Sequence, residues 1–342
     1  MKSLEPFATS DVEALKALIQ ANNTFVIVCH TNPDGDAMGS SLGLADWLRC
    51  MGKDATVVVP DLYPDYLQWL PGSQESVRAD KYPEKARLLL LMADVVMCLD
   101  FNVPSRTESV IEPLLSETHA KKVLIDHHLG PEAFCDLTFS RPEASSASEL
   151  VFSLIQTMGG YDLLSKQAAE CLYCGMMTDT GGFTFNSARP EVFHIIASLI
   201  AKDIDKDEIY RRVFHNYSEG RLRLIGYALS EKMRVYPERK AALIALSKTE
   251  MERFQFVKGD TEGLVNMPLQ IRGVQFSCFL REDTEHDHIN VSLRSVGNFP
   301  CNEFSARYFN GGGHKNASGG RYYGSLDEAV ACFEKALAEF EA

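Results

Sequence analysis

The sequence predicts an α/β protein: a doubly wound parallel sheet, a helical connector, and a smaller second α/β domain with a cleft between the two domains. Two patterns carry that prediction. Four short, almost wholly apolar runs, Phe25–Cys29, Thr56–Val59, Val95–Leu99 and Val123–Ile125, alternate with helical segments in the first half, as strands covered on both faces of a parallel sheet do. Beyond Pro237 the texture changes to shorter alternating runs, so a second core follows the first. Size agrees, because 342 residues exceed what one hydrophobic core usually organises.

Taken in order, the first element is a helix over Ser10–Gln20, with Val12, Leu15, Leu18 and Ile19 on one face and a capping-box pair in Ser10 and Glu13. The first apolar strand then runs into His30. A helix is expected over Leu42–Met51, closed by Gly52, and another over Ser146–Gly160, started by Ser146 and Glu149. Arg189–Arg234 is helical in pattern almost throughout, for example in "PEVFHIIASLIAKDI". The segments "AALIAL", "VQFSCFL" and "HINVSLRS" follow as strands, then a glycine-rich stretch and a final helix from Ser325. The expected boundaries are 1–188 for the first domain, 189–235 for the connector and 236–342 for the second domain. There is no internal repeat and no low-complexity linker.

Composition narrows the function. A hydrophobic fraction of 45% with 24% charged residues is that of a soluble globular protein. The longest apolar run, Leu88–Leu99, is broken by Asp94 and falls short of the roughly 20 residues that span a bilayer. The N-terminal segment has no apolar signal core, so a cytoplasmic protein is expected. The nine cysteines are odd in number and sit mostly in apolar runs, as Cys29, Cys98 and Cys278 do, which reads as buried small hydrophobes rather than a disulfide framework. Cys171 and Cys174 form a CxxC in a helical context without a companion pair, so they too read as structural. A net charge of −13 excludes a protein that coats long nucleic acid. A short anionic substrate remains possible where bound metal ions supply positive charge locally.

Four places deliver acid or imidazole groups at the ends of apolar runs. They are "HTNPDGDAMGS" with His30, Asp34 and Asp36, "LDF" with Asp100, "DHH" with Asp126, His127 and His128, and "TDTGGF" with Asp179. In an open α/β sheet ligands bind beyond the carboxyl ends of the strands, which places the first three groups together; the fourth is expected to fold back and meet them. Asp34, Asp36, Asp100 and Asp179 repel one another unless cations lie among them, and two divalent ions would balance their charge. Mixed Asp and His donors without thiolate favour Mn²⁺ over structural zinc, with Mg²⁺ or Co²⁺ as alternatives. A metal pair lowers the pKa of a water and clamps phosphoryl oxygens.

In order, these four motifs resemble those of the DHH phosphoesterase superfamily, and "GGGHKNASGG" (311–320) resembles the signature of its associated DHHA1 domain. The likeness spans nearly the whole chain and is nearest to the bifunctional oligoribonuclease and adenosine bisphosphate phosphatase group. It implies one metal on His30, Asp34 and Asp100 and a second on Asp36, Asp100, His127 and Asp179, with Asp100 shared. It implies further that His128 contacts the phosphate as a catalytic group beside Asp100, and that Asp126 orients the ligands from behind.

Without the family, the glycines of "NGGGHKNASGG" permit close backbone approach to an anion, with His314 and Lys315 as donors; a plain glycine turn is the alternative. Gly312, Gly313, His314 and Arg294 are therefore the expected substrate-binding residues, with Arg281 a weaker candidate. The expected activity is hydrolysis of short oligoribonucleotides to mononucleotides and of 3′-phosphoadenosine 5′-phosphate to AMP; the oligomeric state stays open, a homodimer being common among acidic enzymes of this size. Two rivals stand beside it: a manganese pyrophosphatase or exopolyphosphatase, and a non-catalytic nucleotide sensor. Intact metal-competent residues at every position weigh against the sensor.

Overall fold

In the computed structural model, which describes residues 7–340, the apolar runs of the first half form one parallel sheet. Its strands are β1 (Thr24–Val28), β2 (Asp54–Val59), β3 (Val77–Arg78), β4 (Val95–Leu99), β5 (Lys121–Asp126) and β6 (Leu137–Ser140). They lie in the order β3-β2-β1-β4-β5-β6, and every pairing is parallel. The strands β3 and β6 had no apolar run to announce them. Between β1 and β4 the strand order reverses, and ligands of such sheets bind at that switch point.

Alternate residues of the central strands serve two cores. Phe25, Ile27, Val57, Met97 and Ile125 pack with α1 (Thr9–Ala21) and α2 (Gly35–Cys50). Val26, Val28, Val58, Cys98 and Leu124 pack on the other side with α3 (Pro83–Met92) and α4 (Glu108–Glu117). The first of these cores also takes in α5 (Ala147–Thr157), α6 (Lys166–Asp179), α7 (Pro190–Ile200) and α8 (Lys206–Phe214).

Three helix starts differ from the sequence expectation. The chain enters α1 at Ala8, whose carbonyl accepts from Asp11 and Val12, so Ser10 lies inside the first turn and donates to Asp11 instead of capping. Helix α2 begins at Gly35 rather than Leu42, because Asp34 accepts from the backbone of Asp36 and Ala37 and starts the helix inside the motif. Ser146 does cap α5 by accepting from Glu149 N, but the Glu149 carboxylate does not return to Ser146.

The chain divides into two units between Asn216 and Tyr217. The stretch expected as a connector contributes to both: α7 and α8 bury Val192, Leu199 and Ile209 in the first, while α9 (Glu219–Tyr227) buries Leu224 in the second. The second unit holds β7 (Arg234–Tyr236), β8 (Ala241–Leu246), β9 (Phe276–Glu282), β10 (Ile289–Ser295), β11 (Gly312–His314) and β12 (Ala317–Tyr322). Their order is β11-β12-β10-β9-β8-β7, with only β8 and β9 parallel. On one face Ile244 and Phe279 pack with α9 and α10 (Lys248–Arg253). On the other, Phe276, Leu280, Val291 and Leu293 pack with α11 (Cys301–Tyr308) and α12 (Leu326–Glu339). All nine cysteines are free thiols, and among the described residues no helix is long and apolar enough to cross a membrane.

One helix pair positions the site. Helices α2 and α6 touch along Gly35, Gly39 and Gly43, spaced four residues apart so that they share one face. A Cβ on Gly39 would stand 2.5 Å from the Cys171 carbonyl oxygen, and one on Gly35 would stand 2.3 Å from Thr178 Oγ1. The two helices therefore run antiparallel, and the start of α2 meets the end of α6. Gly39→Ala is expected to destabilise the fold by about 1–3 kcal/mol in urea unfolding followed by circular dichroism, through overpacking. Gly226→Ala, on the exposed side of α9 with nothing within 4 Å, is expected to be neutral or slightly stabilising.

Candidate metal centre

Three strand ends and one helix end converge in the first unit. His30 stands just beyond β1, with Nδ1 2.7 Å from the Thr31 carbonyl. A carbonyl only accepts, so Nδ1 carries a proton and Nε2 is the nitrogen turned toward the carboxylates. That Nε2 lies 3.4 Å from Asp100 Oδ2 and 3.9 Å from Asp34 Oδ1. Asp34 caps α2, its Oδ1 accepting from Asp36 N and Ala37 N at 3.0 Å each. Buried Asp36 is held by a second helix start: its Oδ2 accepts from Ala147 N at 2.6 Å and its Oδ1 from Ser148 N at 2.9 Å.

Asp100 follows β4 in the left-handed region, with φ of 62°, a conformation that costs a residue with a Cβ roughly 1–3 kcal/mol. Its backbone N donates to Ile125 O at 3.1 Å, which pins the turn to β5. His127 follows β5, its Nδ1 facing Ala144 O at 3.4 Å. Its Nε2 lies 3.3 Å from Asp100 Oδ1, 3.3 Å from Asp179 Oδ2 and 3.9 Å from Asp36 Oδ2. Asp179 is the last residue of α6, delivered here by the α2–α6 contact.

The electrostatics show a shortage of positive charge. Burial, then the Asp100 charge, pushes the Asp36 carboxyl up to about 7 against the pull of His127. Asp179 is raised well above the usual carboxylate range by desolvation, again opposed by His127. Burial would raise Asp100 too, but the imidazoles of His127 and His30 hold it well below that range. Asp100 Oδ1 is buried and receives no hydrogen bond. The donor atoms of His30, Asp34 and Asp100 all lie within 4.8 Å of one another, as do those of Asp36, Asp100 and His127. Oxygen and imidazole donors without thiolate fit a divalent cation in each group, and the orphaned Asp100 belongs to both.

His128 is set differently. Its Nδ1 lies 2.7 Å from Asp126 Oδ1, and its backbone N donates to Asp126 Oδ2 at 3.1 Å. Fully buried Asp126 thus orients His128. Burial pushes the His128 pKa down, opposed by its hydrogen bond to Asp126.

Residues 24–176 match the DHH family, N-terminal domain, and residues 245–340 match the DHHA1 domain. The chain is 30% identical over 313 residues to the "Probable bifunctional oligoribonuclease and PAP phosphatase NrnA" of Streptococcus mutans, covering 91% of this chain and 93% of that protein. The chain belongs to the DHH family. As a member it is a hydrolase acting on phosphoester bonds. It is 29% identical over 327 residues to the "Bifunctional oligoribonuclease and PAP phosphatase NrnA" of Bacillus subtilis, covering 94% of this chain and 95% of that one. A solved structure of an exopolyphosphatase-related protein from Bacteroides fragilis is 52% identical, with a TM-score of 0.92 and coverage of 97% of this chain and 96% of that one.

In the DHHA1 unit, Gly312, Gly313 and His314 are not an open loop. They form β11, with Gly312 opposite Gly319, Gly313 opposite Ser318 and His314 opposite Ala317. A Cβ on Gly313, whose φ is 133°, would stand 2.7 Å from the Ala317 carbonyl oxygen, so close strand pairing is what that glycine permits. β11 is the edge strand, and part of its backbone is already spent on β12. Ala317 also faces Arg294, so His314, Ala317 and Arg294 project to one side of the sheet. Asn290 faces both Arg321 and Arg281, which puts two more arginines on that side. Arg281 lies 5.5 Å over the Phe256 ring, and Lys315 reaches Asn298 Oδ1.

Two features escaped sequence reasoning. The glycine spacing of α2 was visible but read as part of a motif rather than as a packing stripe. Arg106, on the turn Pro104–Thr107, has its carbonyl accepting from Thr31 N at 2.9 Å. Its charge bears on both His30 and His128, and among the described residues no carboxylate pairs with it; an isolated arginine six positions past Asp100 was the only signal. Asp100→Asn is expected to abolish tight divalent-ion binding measured by calorimetry while the chain stays folded. Arg106→Ala is expected to leave metal binding intact and to raise KM for a phosphorylated substrate about tenfold, the scale of a lost charged hydrogen bond.

Proposed function

We propose that this protein is a two-metal phosphoesterase that cuts short oligoribonucleotides such as pApA to mononucleotides and 3′-phosphoadenosine 5′-phosphate to AMP. The observation that carries it is the buried Asp100 carboxylate, shared by two donor groups and with an Oδ1 that accepts no hydrogen bond. In this reading His30, Asp34 and Asp100 hold one ion and Asp36, Asp100, His127 and Asp179 hold the other, Mn²⁺ being the best match to the donors. Bound ions of that kind lower the pKa of a water and polarise a phosphoryl group. His128, fixed through Nδ1 by Asp126, contacts a phosphate oxygen from its opposite nitrogen, where charge develops as phosphorus is attacked. Arg106 adds positive charge at the rim of the site. His314 and Arg294 of the DHHA1 unit supply side-chain donors for an anionic group.

The names of the Streptococcus mutans and Bacillus subtilis relatives support the substrate class. The net charge of −13 supports short rather than long nucleic acid, since binding long chains is carried by many Lys and Arg contacts to phosphates. A cytoplasmic enzyme with free thiols is consistent with both. A second reading, hydrolysis of inorganic pyrophosphate or polyphosphate, is favoured by the name of the Bacteroides fragilis structure at 52% identity. Against it stand Arg281, Arg294, Arg321 and His314, which strand register puts on one side of the second sheet and which exceed the needs of an inorganic substrate.

Release of mononucleotide with Mn²⁺ should be compared for pApA, 3′-phosphoadenosine 5′-phosphate, a long RNA and pyrophosphate. Fast release of AMP from the first two, slow attack on the long RNA and little phosphate from pyrophosphate is the expected result. A preference for pyrophosphate would move the enzyme to the inorganic branch.

A further inference from the structure

The turn 144–148 touches two residues of the proposed metal centre at once. Ala144 O faces His127 Nδ1 at 3.4 Å, which turns His127 Nε2 toward the carboxylates. Ala147 N and Ser148 N hold both oxygens of Asp36. Whatever fixes this turn therefore sets His127 and Asp36 relative to each other.

Glu149 fixes it. Its side chain is wholly buried, and its Oε2 accepts from both Ser145 N and Ser145 Oγ at 2.7 Å. Arg189 Nη2 donates to Oε1 and Oε2 of the same carboxylate at 2.6 Å each. In a capping box the third helical glutamate returns to the cap residue; here Glu149 passes over Ser146 and grips the residue before it. Arg189 lies ten positions beyond Asp179, just ahead of α7, and in the same segment Asn186 Nδ2 reaches Ala144 O at 3.5 Å. The chain that leaves the fourth motif is thus tied to the turn that holds the first and third.

A buried ion pair is a poor device for stability, because desolvation offsets most of its Coulombic gain and apolar replacements often match it. This one carries a further cost, since Arg189 Nη1 is buried without a hydrogen-bond partner. Its geometric yield is large by comparison: one carboxylate clamps the turn, and the turn clamps two ligands. We propose that Glu149 and Arg189 are positioning residues whose ion pair sets the cation affinity of the Asp36–His127 side of the centre. This rests on reading the cluster as a metal centre. Groups that orient metal ligands from behind are worth about 10- to 100-fold in affinity when lost.

The test is Mn²⁺ binding to the full-length protein without nucleotide, by calorimetry and by electron paramagnetic resonance of free Mn²⁺, alongside melting in EDTA. Glu149→Gln keeps the shape and loses the charge; Arg189→Lys keeps the charge and loses the fork. We expect Glu149→Gln to weaken one of two Mn²⁺ sites about 10- to 100-fold and Arg189→Lys to weaken the same site less, with Arg189→Lys melting in EDTA like the wild type. Wild-type affinity at both sites in either folded variant would overturn the proposal. So would affinity losses in Arg189→Lys that merely follow a fall in its metal-free melting temperature, which would mark the pair as structural. Should Glu149→Gln fail to fold, Arg189→Lys decides alone. Wild-type protein that binds Mn²⁺ but cuts no nucleotide would refute the proposed substrate and leave this inference standing; wild-type protein that binds no Mn²⁺ would refute both.

Discussion

Carboxylates gathered within a few ångströms repel one another, and much of the first unit is arranged against that repulsion. Asp34 is held by the free N–H groups at the start of α2 and Asp36 by those at the start of α5, where the helix dipole favours negative charge. Asp100 relies on two imidazoles and on a strained turn pinned to β5. Asp179 has the worst position, at the C-terminal end of α6, where the dipole opposes an anion. It is kept there by the glycine-lined contact of α2 with α6 and by His127. The fold holds more carboxylates than its imidazoles balance, which pushes Asp36 and Asp179 up.

Stability and chemistry are carried by different parts of the first unit. The sheet and its two apolar layers, one holding Phe25, Phe139 and Phe152 and the other Val26, Phe101 and Leu124, hold the strand ends in register. The polar groups then aim the donors: Thr31 O orients His30, Ala144 O orients His127 and Asp126 orients His128. Each imidazole thus has one nitrogen fixed by an acceptor outside the cluster. That leaves the other nitrogen's direction set before any substrate or ion arrives, which lowers the cost of binding.

The second unit answers a different electrostatic need. The chain as a whole is acidic, with a net charge of −13, yet strand register collects Arg281, Arg294, Arg321 and His314 on one side of its sheet. Toward β8 the same side packs Ile244 and Phe279 with α9 and α10, and the opposite side is apolar and buried under α11 and α12. Alternation of side chains along β10 does this with a single strand: Ile289, Val291 and Leu293 turn inward, and Asn290, Ser292 and Arg294 turn outward.

The candidate donors His30, Asp34, Asp36, Asp100, His127 and Asp179 were legible in the sequence because each interrupts an apolar run, and a buried strand or helix does not end in an acid without reason. The α/β class was legible for the same cause, since strands covered on both faces must be continuously apolar. Local pattern failed where a choice depended on a distant partner. Ser10 looked like a helix cap but was displaced when the chain entered α1 at Ala8. Glu149 looked like half of a capping box but is taken by Ser145 and Arg189. The glycines of 311–313 looked like an open loop but pair with β12. The sequence by itself determined which residues are chemically able to serve and that their strands end on one edge. The tertiary structure alone decided that Asp179 joins them, that Asp126 serves His128, and that one buried carboxylate steadies the turn behind two donors, because those outcomes depend on helix contacts and hydrogen bonds between residues far apart in the chain.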